Sequence, residues 1–222
     1  MTESTRHSRR VVFFGDSICV GQGISLHKSW VARLAAYIDE RLGPEFVVVN
    51  ASINGSTTRQ GLERMPYEVQ SQGVAILIVQ FGMNDCNYWG SDNGLPRVSE
   101  KAFAANLEEI IQRGLRFGAR RILVNTNHPT TRDSEPVVSA AAITYEDSNR
   151  RYNTIIRDVA SSMDDHVLLN DVERSFHDLT GGKREALARL LLDDGLHLAL
   201  SGHDAYYRVI LPKLESALAE CF

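Results

Sequence analysis

The eight residues Val74-Ala75-Ile76-Leu77-Ile78-Val79-Gln80-Phe81 hold one polar side chain, with no alternation that would give one apolar and one wet face. A strand of this kind must be covered on both sides, as a central strand is in a parallel sheet between helices. Val11-Val12-Phe13-Phe14, Phe46 to Asn50, Arg121 to Asn125 and His166 to Leu169 supply four more strands. Between them the apolar spacing turns helical. Ser29 to Leu42 places Trp30, Leu34, Ile38 and Leu42 four apart before Gly43-Pro44 stops the helix. Ser99 to Phe117 carries Phe103, Leu107, Ile110, Ile111 and Leu115 on one side. Residues 57–72 read as partly helical and Tyr145 to Ser161 as a helix. A last helix over Gly202 to Ala219 is expected to bend at Pro212. This order predicts an α/β fold: a five-stranded parallel sheet in a three-layer sandwich.

A chain of 222 residues with 43% hydrophobic content can bury one core, and no linker or repeat divides it. The expectation is one domain over 1–222, with 1–9 as a flexible tail. The formal charge of −4, from 24 basic and 28 acidic residues without a basic stripe, argues against a nucleic-acid partner and for a small molecule. The N-terminal segment, Met1 to Arg10, is polar and basic, and the apolar run after it is too short for a signal-peptide core or a membrane span. The expected location is therefore the cytoplasm, without membrane association. Cys19, Cys86 and Cys221 are odd in number and form no CxxC pair, which disfavours disulfides and structural zinc.

Ser17 closes the first strand in Gly15-Asp16-Ser17, and Asp194-Gly195-Leu196-His197 lies near the other end of the chain. A serine hydroxyl needs a base within hydrogen-bond reach, and that base needs a third group to fix its tautomer. His197 and Asp194 can meet those needs from one tight turn. Two more glycine turns follow the second and third strands: the one containing Gly55, and Gly82-Met83-Asn84-Asp85. Backbone N–H groups at Ser17 and Gly55 and the side-chain amide of Asn84 could together cradle a developing oxyanion.

These blocks, in this order and across nearly the whole chain, resemble the SGNH or GDSL-type hydrolases. The resemblance implies a flavodoxin-like sheet, no metal or organic cofactor, and activity on esters. It maps Ser17 to the nucleophile, His197 to the general base and acid, and Asp194 to the orienting carboxylate. Ser17, Gly55 and Asn84 map to the oxyanion hole. Where similar proteins often cap the last helix with Ser or Thr this chain has Ala199, so the cap is expected to move to Ser201.

The aperiodic segments Cys86 to Val98 and His128 to Ala142 follow strands and should wall the pocket at the carboxyl edge of the sheet. Tyr88 and Trp89 are candidate substrate contacts, with local packing as the competing role. His128 is also a candidate, against a structural turn before Pro129. Asp85 is expected to tie loops together, His203 to point away from the site, and Cys19 to be a buried small hydrophobe. The expected function is a serine esterase cleaving small acyl esters, acetyl foremost, of a carbohydrate or small alcohol. The competing functions are an acyltransferase using the same serine and a non-catalytic small-molecule binding module. For the latter, Gly21-Gln22-Gly23 starts a dinucleotide fingerprint that fails at Leu26.

Overall fold

Apolar strands need neighbours to pair with and helices to cover their faces, and the chain provides both by alternating strand and helix. The computed structural model describes residues 9–136 and 141–222. The strands β1 (Arg10–Gly15), β2 (Val47–Asn50), β3 (Val74–Gln80), β4 (Arg121–Asn125) and β5 (Val167–Asn170) form one sheet in the order β2-β1-β3-β4-β5. Every neighbouring pair is parallel. All seven residues of β3 are buried, as its unbroken apolar run requires, while β2 at the edge is partly exposed.

The helices are α1 (Ser17–Val20), α2 (Trp30–Leu42), α3 (Thr58–Glu68), α4 (Glu100–Arg116), α5 (Tyr145–Ser162), α6 (Val172–Thr180), α7 (Arg184–Ala188) and α8 (Leu200–Cys221). The chain steps from β1 to β2 in one direction and then from β1's other side to β5 in the opposite one. With right-handed crossovers, that reversal puts α2 on one face and α3, α4 and α5 on the other. Packing agrees: α3 meets α4, α4 meets α5, and α8 returns to lie beside α2. The reversal also splits the loops after β1 and β3 apart, opening a crevice at their carboxyl ends.

Local signals set most boundaries. Ser29, Ser99 and Thr144 each accept a backbone N–H as N-caps of α2, α4 and α5. Thr57 and Gln60 form a reciprocal capping box at α3. Ala199 precedes α8 without a side-chain cap. The expected substitute, Ser201, instead donates its hydroxyl to the Arg189 carbonyl at 2.6 Å. It sits one residue inside the helix, past the capping position. Pro212 lies within α8 and does not end it. The short helices α6 and α7 fall in a stretch where the sequence predicts no element. On the α2 side, Trp30 stacks on Tyr206 at 4.8 Å and meets Phe13 edge-on at 5.4 Å, binding α2, α8 and β1 into one core.

Candidate active site

Gly15 and Gln80 are paired across β1 and β3, and a Cβ at Gly15 would fall 2.4 Å from the Gln80 carbonyl oxygen. Only glycine lets the two strands run side by side to this point. Asp16 then turns the chain: its Oδ1 accepts the Ile18 N–H at 3.0 Å and starts α1. Ser17 stands at the head of that turn, 4% exposed, in the crevice at the switch of strand order.

The turn containing Asp194 is built at the other end of the chain. Leu191 and Leu198 bridge in antiparallel fashion, and Leu192 N–H donates to the His197 carbonyl at 2.7 Å. Gly195 takes φ +69°, and a Cβ there would lie 2.5 Å from Thr131 Oγ1. Thr131 N–H donates to the Gly195 carbonyl at 3.0 Å, and Arg132 Nε to that of Asp194 at 2.8 Å. The loop after β4 therefore carries the turn from beneath. Nothing in the residue order marks Thr131 or Arg132 for that work.

The two ends meet. Ser17 Oγ lies 3.0 Å from His197 Nε2, and His197 Nδ1–H donates to Asp194 Oδ2 at 2.5 Å. Asp194 Oδ1 also accepts the Leu196 and His197 N–H groups, both at 2.9 Å. Burial alone would raise the Asp194 carboxyl. The hydrogen bonds from His197 and from the two backbone groups outweigh it and hold the carboxyl below its ordinary value.

Asn84 lies across the crevice. Its Nδ2 donates to the Ser56 carbonyl at 3.2 Å and approaches Asp16 Oδ2 at 3.5 Å, while its Oδ1 accepts from Arg97 Nη1 at 3.3 Å. Gly55, at φ +76°, has nothing within 4 Å of where a Cβ would stand. Among the described residues the Ser17 and Gly55 N–H groups have no protein acceptor. Asp85 is fully buried and accepts the Thr58 N–H at 2.9 Å and the Thr58 hydroxyl at 2.5 Å, so it ties this loop to α3.

His128 does not reach the crevice. It is buried, and its Nε2–H donates to the Leu196 carbonyl at 2.8 Å, which makes it a floor for the Asp194–His197 turn instead of a substrate contact. Burial pushes its imidazole down to about 4, against the opposing pull of the Leu196 carbonyl. Its ring is spent on a carbonyl that only a buried donor can reach, which a reading by loop position cannot detect. His203 likewise turns inward, and its Nδ1 accepts the Trp30 N–H at 3.3 Å. Cys19 and Cys86 are buried with thiols pushed up by desolvation; Cys86 donates to the Met83 carbonyl at 3.5 Å, which accounts for its place after Asp85. Tyr88 is half-buried, and Trp89 is 51% exposed beside Arg97. Of the segment expected to form the second wall, residues 137–140 lie outside the described residues. A cleft of about 450 Å³ whose lining includes Thr130, Glu146, Arg157, Lys183 and Arg184 contains none of Ser17, Asp194 or His197. Among the described residues no group of three or more His, Cys, Asp or Glu could hold a metal ion, and no helix is long and apolar enough to cross a membrane.

A hydroxyl, an imidazole and an ionised carboxylate in line, beside unclaimed N–H donors, can carry out acyl transfer. Known proteins resemble this chain in sequence and in fold. The chain is 26% identical over 129 residues to an arylesterase of Vibrio mimicus, a match covering 58% of this chain and 60% of that relative. It thus spans about three fifths of that protein's length. It is 32% identical over 221 residues to the uncharacterized lipoprotein YqeF of Bacillus subtilis, covering 90% of this chain and 87% of the relative. The crystal structure of the acetyl xylan esterase AlAXEase superposes with a TM-score of 0.73 at 20% identity, over 92% of this chain and 98% of that one. The model of the GDSL-like lipase/acylhydrolase family matches residues 13–205, a stretch that runs from the first strand past His197, and the chain belongs to that family.

Proposed function

We propose that this protein is a serine esterase that cleaves carboxylic esters through a covalent acyl-enzyme. The observation that carries the reading is the unbroken relay from Ser17 Oγ through His197 to Asp194, with contacts of 3.0 Å and 2.5 Å. Ser17 Oγ attacks the ester carbonyl carbon while His197 Nε2 takes its proton. Asp194 keeps Nδ1 protonated, so that Nε2 is the free base, and stabilises the imidazolium that forms. The carbonyl oxygen gains negative charge and is held by the N–H groups of Ser17 and Gly55 and by Asn84 Nδ2. Collapse of the tetrahedral adduct expels the alcohol, protonated by His197. Water then gives a proton to His197 and its oxygen to the acyl carbon, releasing the acid and restoring Ser17.

The substrates are small acyl esters, acetyl foremost, of a carbohydrate or small alcohol. The chain has no long apolar stretch to serve as a lid or a lipid-docking surface, and the rim beside Asn84 carries Arg97 and Trp89 instead. A cytoplasmic setting belongs to the same proposal, supported by three buried cysteines without a disulfide; cell fractionation tests it. One domain over 1–222 is likewise proposed, and cooperative single-step unfolding tests that.

The deciding experiment is a screen of p-nitrophenyl esters from acetyl to octanoyl, with acetylated sugars included and Ser17→Ala as the blank. Wild-type turnover should be highest for acetyl and butyryl, and Ser17→Ala should lose about 10⁶ of kcat with an unchanged melting curve. Turnover that survives in Ser17→Ala refutes the mechanism, and a preference for octanoyl refutes the substrate assignment.

A further inference from the structure

An asparagine amide presents two ends of nearly equal shape, and only its neighbours decide which end faces a ligand. At Asn84 both ends are specified. A guanidinium can only donate, so the atom 3.3 Å from Arg97 Nη1 is Oδ1; a carbonyl can only accept, so the atom 3.2 Å from the Ser56 oxygen is Nδ2. The same Nη1 donates to the Gly55 carbonyl at 3.2 Å. One nitrogen with two hydrogens thus joins the Gly55 turn to the Asn84 loop.

We infer that Arg97 is the positioning residue of the oxyanion site, holding the Asn84 amide with Nδ2 toward the substrate and the Gly55 turn at a fixed distance from it. The inference rests on the acyl-transfer reading of the site. Arg97 is itself held. Its N–H donates to the Asn87 carbonyl at 2.8 Å, and the next residue, Val98, donates to that of Asp85 at 3.2 Å. Its guanidinium lies 4.1 Å from the centroid of the half-exposed Trp89 ring. Trp89 is therefore a backing plate for the arginine.

The arrangement also has an electronic consequence. A cation donating to Oδ1 draws density through the amide and makes Nδ2–H a stronger donor, because linked hydrogen bonds polarise one another. Ser56 occupies one Nδ2 hydrogen, and the contact to Asp16 at 3.5 Å is too long to engage the other firmly. That second hydrogen is the one available to an oxyanion. Lysine can supply the charge but neither the planar fork nor the stacking face.

The test uses the full chain with p-nitrophenyl acetate and the variants Arg97→Ala, Arg97→Gln, Arg97→Lys, Asn84→Ala and Asn84→Ala/Arg97→Ala. Asn84→Ala should lower kcat about 10² to 10³-fold, and Arg97→Ala about 10 to 100-fold with KM within about threefold of wild type. Arg97→Lys should recover part of the loss. Because Arg97 acts through Asn84, the double variant should be no more than about twofold slower than Asn84→Ala alone. A second readout needs no turnover: the Asn84 side-chain amide resonances, identified by their loss in Asn84→Ala, should move in both Arg97→Ala and Arg97→Gln. Full kcat in Arg97→Ala, multiplicative losses in the double variant, or unmoved amide resonances each overturn the inference. If the wild type cleaves no ester, the esterase reading fails, and the amide resonances still decide the role of Arg97.

Discussion

Asp16 and Asp194 stand on opposite sides of the Ser17–His197 contact and are held in opposite ways. Asp194 has a 38% exposed side chain and collects three N–H donors, from His197 Nδ1 and from the backbone of Leu196 and His197. Asp16 is fully buried, receives one firm donor from Ile18, and faces Asp85. Burial, only partly offset by the Ile18 hydrogen bond, pushes the Asp16 carboxyl up to about 7, whereas that of Asp194 stays below its ordinary value. Under the proposed acyl-transfer mechanism the difference has a use. A standing negative charge is useful where an imidazolium forms, and it is harmful beside the donors that must receive an oxyanion. The fold therefore exposes and saturates one carboxylate and buries the other as the cap of α1.

The comparison breaks most visibly at Asp194. Asp194→Asn keeps the shape but offers the imidazole an amide, which favours the tautomer with the proton on Nε2 and removes the base from Ser17. We expect kcat on p-nitrophenyl acetate to fall about 10⁴-fold with little change in KM. Stopped-assay kinetics at pH 7 and 9 check this; a loss under tenfold would mean that His197 is oriented by other contacts.

A second pair of positions separates the two sides by stability. Gly195 and Gly55 both sit at positive φ, but a Cβ at Gly195 meets Thr131 Oγ1 at 2.5 Å and one at Gly55 meets nothing. Gly55→Ala bears the left-handed backbone cost alone, about 1–2 kcal/mol. Gly195→Ala adds a clash with the loop that carries the Asp194–His197 turn, and should lose about 2–4 kcal/mol. Urea unfolding of both variants checks the order, and equal losses would mean that the Thr131 loop yields freely.

Much of this was legible in the residue order. The Val74–Gln80 strand, the spacing of the α2 and α4 stripes and the four blocks around Ser17, Gly55, Asn84 and Asp194 all obey local rules of period and turn chemistry. The short α6 and α7 were not, because nine and five residues give too few repeats of a 3.6 period to stand out. His128 stood between two roles for another reason. Both a pocket histidine and a buried one can follow a strand, and only the Leu196 carbonyl at 2.8 Å distinguishes them. Arg97 lay beyond reach too, since its role depends on two loops that approach each other only in three dimensions.

The weakest and most specific consequence concerns pH. A carboxyl whose folded-state value is raised binds its proton more tightly in the folded than in the unfolded chain, so its contribution to stability is present at low pH and is lost as pH rises. For Asp16 that window runs from about 4, where the unfolded carboxyl ionises, to about 7. Asp85, raised by burial to about 6, acts with the same sign, while His128 and His203, lowered by burial to about 4, act with the opposite sign below about 6.5. The net slope of the wild type mixes these four with other shifted carboxyls, Glu68 and Glu146 among them, so the informative quantity is a difference. Asp16→Asn retains an acceptor for the Ile18 N–H and cannot ionise. The stability of wild type relative to Asp16→Asn, from urea unfolding at pH 4, 5.5 and 7, should decline steadily across that series. A constant difference would show that the buried cap titrates as an ordinary carboxyl, and the contrast with Asp194 would then be one of position alone.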